Sequence, residues 1–172
     1  MDHFTEYIIK QKKSKYQIMA TIGMVILTLA VWILTLPYTV YPIVQTVIVL
    51  VDAALAYGIY LVAASFNIEY EYCVVNAEMD VDKITNKKTR KRITTVKFKN
   101  IELMAPVGDS RFLDSENGEF ENVIMAAISP DHPDAYFVIY ENNGKRTKLI
   151  FNPTHKMIEI ATIFAPRKVY ER

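Results

Sequence analysis

Lys87, Lys88, Arg90, Lys91 and Arg92 put five positive charges into the seven residues NKKTRKR, 86–92. A run of this kind binds polyanions, so a nucleic acid, a targeting receptor and an anionic membrane surface are all chemically open to it. The wider charge balance argues against nucleic acid. Residues 67–172 hold 16 bases and 16 acids, whereas a nucleic-acid-binding domain carries a basic excess over its whole surface. The cations are concentrated instead at 83–99, which has eight Lys or Arg and no acid. An opposite pole lies at 109–121, with five acids against Arg111.

Other reactive residue types are sparse. Cys73 is the single cysteine, so no intrachain disulfide can form, and no activating base is placed near it in sequence. His3, His132 and His155 are widely separated, and the DHPD stretch at 131–134 reads as a proline-punctuated turn. The chain lacks G-x-S-x-G, a phosphate-binding glycine loop, H-E-x-x-H and paired-cysteine zinc spacing. No catalytic residue, metal site or cofactor is expected, and the protein reads as a non-enzyme.

Asp52 is set apart by its surroundings. Residues 18–36 run for nineteen positions without a charge, and 43–66 run for twenty-four with Asp52 as their one charge. Nineteen helical residues extend about 28 Å, close to the ~30 Å hydrocarbon thickness of a bilayer. The connection PYTVYP is bracketed by Pro37 and Pro42 and carries Tyr38 and Tyr41 at interfacial positions. These features predict a transmembrane helical hairpin over 18–66. The first run is longer than a signal-peptide core, no small-residue cleavage pattern follows it, and a second span comes at once.

Lysines at 10, 12, 13 and 15 precede the hairpin, the 83–99 cluster follows it, and its connection is uncharged. The positive-inside rule then predicts a multi-pass cell-membrane protein with both termini cytoplasmic, residues 1–17 forming a basic cytoplasmic segment. Thr21, Thr28 and Thr35 recur every seven residues, as do Gln45 and Asp52. Counting depth from the two prolines brings Thr28 level with Asp52, predicting a polar seam of Thr28, Gln45 and Asp52 with Asp52 hydrogen-bonded to Thr28. The same face could pair two copies of the chain. A small transport subunit that uses Asp52 is a weaker reading, because two helices supply few polar groups.

Residues 67–172 change pattern. IEYEYCVV (68–75) alternates apolar and polar residues, as a half-buried strand does. EMDVDKI, KRITTVKF, IELMAPV, NVIMAAI, AYFVIYE and RTKLIFN complete about seven strands, with the basic run at a hairpin tip. ENNGK predicts a type I′ hairpin turn. Met157, Ile160, Ala161 and Phe164 then follow helical spacing behind an N-cap at Asn152 or Thr154.

That order resembles the pleckstrin-homology-like fold, an α+β design in which a bent antiparallel sheet of about seven strands is plugged by a C-terminal helix. The stretch YEYCVVNAEMDVDKITNKKTRKRI is similar to the opening strands of bacterial membrane-linked members, where Y-x-V-T-N-x-x-L leads into a basic hairpin. Tyr72, Val75, Asn76 and Met79 occupy those positions, with Val75 in place of the usual Thr. The whole chain resembles small bacterial membrane proteins that carry a two-helix transmembrane hairpin before such a domain. The resemblance implies a fold and a location, not an activity. The expected function is a membrane-anchored binding or scaffold module that contacts anionic lipid headgroups through Lys87, Lys88, Arg90, Lys91 and Arg92. A protein-interaction module is the alternative, using a sheet edge or the acidic 109–121 stretch to meet a protein partner or a second copy.

Overall fold

The computed structural model describes residues 4–171, so His3 lies outside the described residues. It divides into a sheet unit, residues 4–12 with 68–171, and a helical unit, Lys13–Asn67.

The sheet unit holds two four-stranded sheets. The first has the order β1 (Phe4–Lys10), β2 (Ile68–Val75), β3 (Glu78–Thr85), β4 (Thr89–Lys97), all antiparallel. The second has the order β5 (Ile101–Pro106), β7 (Tyr136–Asn142), β8 (Lys145–Phe151), β6 (Asn122–Ala126). Two expectations are corrected here. Residues 1–17 are not merely a basic flank, because Phe4–Lys10 is a strand of the first sheet and the domain does not begin at 67. Its partner lies some sixty residues along the chain, and only Ile9 of its seven residues is buried, so periodicity gave little sign of it. The sheets are also not wholly antiparallel, since β6 runs parallel to β8. β7 and β8 form an antiparallel hairpin through the two-residue turn 143–144, and the connection 127–135 carries the chain from β6 past β8 to β7.

The turns follow from residue type. Asn143 and Gly144 both have positive φ, 52° and 75°, which gives the twisted two-residue turn that β7 and β8 need. Between β2 and β3, Asn76 alone takes positive φ, 53°.

Both sheets turn one face into a shared core. Tyr72, Val74, Met79 and Val81 of the first sheet pack with Val138, Leu149 and Phe151 of the second. The helix α4 (His155–Phe164) closes this core with Met157, Ile160 and Ala161, while Phe164 is partly buried. Thr154 is its N-cap, its hydroxyl accepting from the Met157 N–H at 3.3 Å. Asn152 serves instead as a loop clamp, its Oδ1 accepting from the Ile128 N–H at 2.8 Å. A second apolar cluster, including Phe137 and Ile139, lies on the other face of the second sheet, and Phe112 and Phe120 of the acidic stretch cover it.

Tyr72 ties the sheets together. Its side chain is fully buried. Its hydroxyl donates to the Ala126 carbonyl at the end of β6 and accepts from the Asn152 N–H at 3.3 Å. Its ring meets Phe151 edge to face at 5.7 Å. Burial holds the phenol well above its ordinary range, so it stays a neutral donor.

The helical unit consists of α1 (Lys15–Thr35), a short 3-10 helix Leu36–Val40 and α2 (Pro42–Ser65). The Gln17 side chain accepts from the Ser14 N–H at 3.0 Å and starts α1 three residues before the apolar run. Pro42 suits the first position of α2, where its missing N–H costs nothing. Both spans are long and apolar enough to cross a membrane, with mean hydropathies of 2.3 and 2.2, and neither helix buries a residue.

Tyr72→Phe keeps the ring but leaves two buried backbone groups short of a partner. The unfolding free energy of the sheet unit should fall by about 1–3 kcal/mol in denaturant titration of the full chain in detergent. An unchanged midpoint would show that the sheets are not joined through this hydroxyl.

Candidate functional site

The basic run begins at a tight turn. Residues 86–88 connect β3 to β4, and the Lys88 N–H closes the turn on the Thr85 carbonyl at 3.1 Å. Asn86 and Lys87 both sit at positive φ, 51° and 55°. Asparagine tolerates that region, whereas a lysine held there costs on the order of 1 kcal/mol. Lys87 and Lys88 are exposed, and among the described residues neither has a carboxylate partner.

Arg90 and Arg92 are used differently. The register sets Glu71 opposite Asp82, and Asp82 opposite Arg92. Two carboxylates facing each other across strands repel unless cations intervene. Arg90 spans the pair, with Nη2 on Glu71 and Nε on Asp82 Oδ2 at 2.8 Å. Arg92 Nε holds Asp82 Oδ1 at 2.8 Å, and its Nη1 reaches Asp80 at 2.7 Å. The two guanidiniums form a fork-shaped lattice over buried acids. The two acids are shifted in opposite directions. Hydrogen bonding from Arg92 and then Arg90 holds the Asp82 carboxyl below its ordinary value. Burial pushes Glu71 up, a hydrogen bond with Glu6 pushes it further, and Arg90 only partly offsets this.

The five candidate cations therefore divide. Arg90 and Arg92 are committed to carboxylates on one face of the sheet, and Lys87 and Lys88 are free at the tip. Lys91 sits on the opposite face, in register with Lys83. Lys83 joins this face although its place in an alternating acidic strand, EMDVDKI, gives no sign of it.

The tip shares one end of the sheet with the points where the chain leaves and re-enters it. Lys10 pairs with Glu69, Ile68 pairs with Thr85, and Thr85 pairs with Thr89. The Gln11 N–H donates to the Ile68 carbonyl at 3.0 Å, and the Lys12 N–H to the Ile128 carbonyl at 2.8 Å. Lys10 and Lys12, both exposed, lie at this same end.

The other candidates separate. The expected hydrogen bond between Asp52 and Thr28 is absent. Thr28 Oγ1 donates to the Met24 carbonyl of its own helix at 3.0 Å, and Thr21 and Thr35 likewise turn back on α1. A threonine hydroxyl on a helix has a carbonyl of the preceding turn within reach and donates to it. Asp52 Oδ1 is buried and has no hydrogen-bond partner, and Gln45 is exposed. Cys73 is half-buried, and burial followed by the charges of Glu6, Asp80 and Glu71 raises its thiol, which disfavours the nucleophilic thiolate. In the acidic stretch, which forms the short helix α3 (Leu113–Glu116), Asp109 is engaged by Arg111 at 2.6 Å and Glu116 Oε2 accepts from the Gly108 N–H at 2.8 Å. No group of three or more metal-ligating side chains is found among the described residues.

Two packed sheets closed by a C-terminal helix, with a helical hairpin carried between the first two strands, match a known domain family along nearly the full chain. The family model described as bacterial PH-like domain (DUF6106) covers residues 1–171. The chain belongs to that family. The match begins ahead of the helices, in keeping with β1 as part of the domain. No curated protein and no solved structure matches the chain.

Asp82 and Glu71 should respond to pH with opposite signs. Asp82, lowered in the fold, contributes stability above its unfolded value of about 4, and this is lost as pH falls through the folded value. Glu71, raised in the fold, contributes stability below its unfolded value of about 4.3, and this is lost as pH rises through the folded value. At pH 7, Asp82→Asn should destabilise by about 1.5–3 kcal/mol, while Glu71→Gln should be neutral or stabilising. Denaturant midpoints of the two variants between pH 3 and 7 check this; equal losses at pH 7 would refute the division.

Proposed function

We propose that this protein is a non-enzymatic, membrane-anchored binding module whose basic hairpin tip contacts an anionic lipid surface from the cytoplasmic side. The observation that carries this reading is the shared sheet end. The free tip lysines, Lys87 and Lys88, stand at the end where the chain departs for the apolar helices and returns from them. Between the last helical residue, Ser65, and the first of β2, Ile68, lie two residues; Gln11 to Ser14 separate β1 from α1. A few extended residues reach about 10–15 Å at most, comparable with the 8–10 Å over which salt screens a charge. Lysines held that close to an anionic leaflet are each attracted by roughly 1 kcal/mol. The lysine at positive φ supports the same reading, because backbone strain of this kind is kept where a site uses it.

Topology is part of the proposal. The two helices span the bilayer, and the uncharged connection Leu36–Tyr41 faces outward. Protease added to intact cells should leave the sheet unit uncut; its cleavage from outside would overturn the topology.

Lipid contact has its own test. The full chain is placed in nanodiscs containing a gadolinium-headgroup lipid, and amide relaxation is read at residues 86–88. Relaxation should be stronger in phosphatidylglycerol than in phosphatidylcholine discs, and the difference should vanish for Lys87→Gln/Lys88→Gln. Equal relaxation in both disc types would overturn the lipid reading. The arginines are left intact because they hold Glu71 and Asp82.

A further inference from the structure

Lys83 of β3 and Lys91 of β4 are directly opposite each other in the register. Like charges in that position repel and weaken a strand pair. The neighbouring pairs on this sheet are neutralised, Asp82 by two arginines and Glu78 by Lys97 at 3.3 Å. Lys83 and Lys91 have no carboxylate, hydrogen-bond or aromatic partner among the described residues. Both line one side of a cleft of about 480 Å³. Tyr70 also lines it; the residue is buried, and its hydroxyl has no hydrogen-bond partner among the described residues. Burial raises the Tyr70 phenol and keeps it a donor. The rest of the lining is Arg92 and Ile93 of β4 and Val123, Ile124 and Met125 of β6; Ile93 and Ile124 turn toward the shared core, while Met125 packs on the opposite face of the second sheet.

We infer that this cleft is a binding site for one anionic phospholipid, its phosphate held between the Lys83 and Lys91 ammonium groups and the Tyr70 hydroxyl. Two ammonium groups and a phenol offer seven hydrogens to an acceptor and no acceptor charge, which is the complement of a phosphate ester. The bound phosphate removes the lysine–lysine repulsion that the protein leaves uncompensated. Ile93 and Ile124 in the lining account for a lipid source over a free anion, because glycerol and the first acyl carbons would lie against them. The cleft opens at the same sheet end as the tip, with Lys83 paired to Tyr70 two residues from the point of re-entry at Ile68. The inference rests on the membrane reading above and narrows it from a diffuse attraction of Lys87 and Lys88 to a defined site on the other face of the hairpin.

The test uses the full chain in zwitterionic micelles, titrated with dihexanoyl phosphatidic acid and followed by amide shifts of Tyr70, Lys83, Lys91 and Val123. These shifts should saturate together. Lys83→Gln/Lys91→Gln should weaken binding at least tenfold while leaving the ligand-free thermal midpoint unchanged or higher, since a repulsion has been removed. Lys87→Gln/Lys88→Gln should bind within twofold of the wild type. Inorganic phosphate should bind at least tenfold more weakly than the lipid. Shifts that do not saturate, or equal affinity in the Lys83/Lys91 variant, would overturn the site. Equal affinity for inorganic phosphate would overturn the lipid as its occupant. Loss in the Lys87/Lys88 variant alone would sink the site and leave the surface reading standing. Saturation here with equal relaxation in the two nanodisc types would keep the site and sink the surface reading.

Discussion

The antiparallel pairing of β1 with β2 is the constraint on which the other features depend. It joins residues on either side of the helical segment, with Lys10 beside Glu69 and the Gln11 N–H on the Ile68 carbonyl. Closing so long a connection as a flexible loop would carry a substantial entropic cost. Here the connection is two helices of 21 and 24 residues joined by a short turn, so its length is taken up by regular structure and not by a flexible loop. The apolar helices are thus inserted inside a β-hairpin, not appended to a finished domain. The chain leaves and re-enters the first sheet at one end, where Lys10 pairs with Glu69 and Ile68 with Thr85.

The cations of the 83–99 cluster are sorted by side-chain chemistry and by strand parity. Arginine's planar fork suits the crowded, half-buried carboxylates of Glu71, Asp80 and Asp82, where two donors must serve separate oxygens at once. Lysine, a hydrated point charge on a flexible stem, makes a single exposed ion pair at Lys97 with Glu78, and Lys83, Lys87, Lys88 and Lys91 have no carboxylate partner among the described residues. Successive side chains alternate across the sheet, so Arg90 and Arg92 fall on one face and Lys91 on the other, beside Lys83. A single basic run therefore produces an internal electrostatic lattice, an exposed tip and one wall of a cleft.

A local pattern was readable wherever near neighbours decide the outcome. Asn143–Gly144 forms the turn its residue types favour, Met157, Ile160 and Ala161 are buried at helical spacing, and the strands from 68 to 152 lie close to where alternation puts them. The failures share a physical cause. β1 has one buried residue and a partner beyond two helices. Depth counting sets Thr28 level with Asp52 but does not specify a bond between them, and the Thr28 hydroxyl donates to the Met24 carbonyl one turn away.

The sequence by itself determined that two helices are long and apolar enough for a membrane, that a β-rich domain with a terminal helix follows, and that positive charge collects on one hairpin. These properties depend on hydrophobicity and on contacts between near neighbours. Only the tertiary structure decided that β1 completes the sheet, that β6 runs parallel to β8, that Arg90 and Arg92 are neutralised, and that Lys83 faces Lys91 over Tyr70 without a counter-charge. Each of those depends on register between distant segments. A shift of one residue moves a side chain to the opposite face of a strand, and composition carries no record of register.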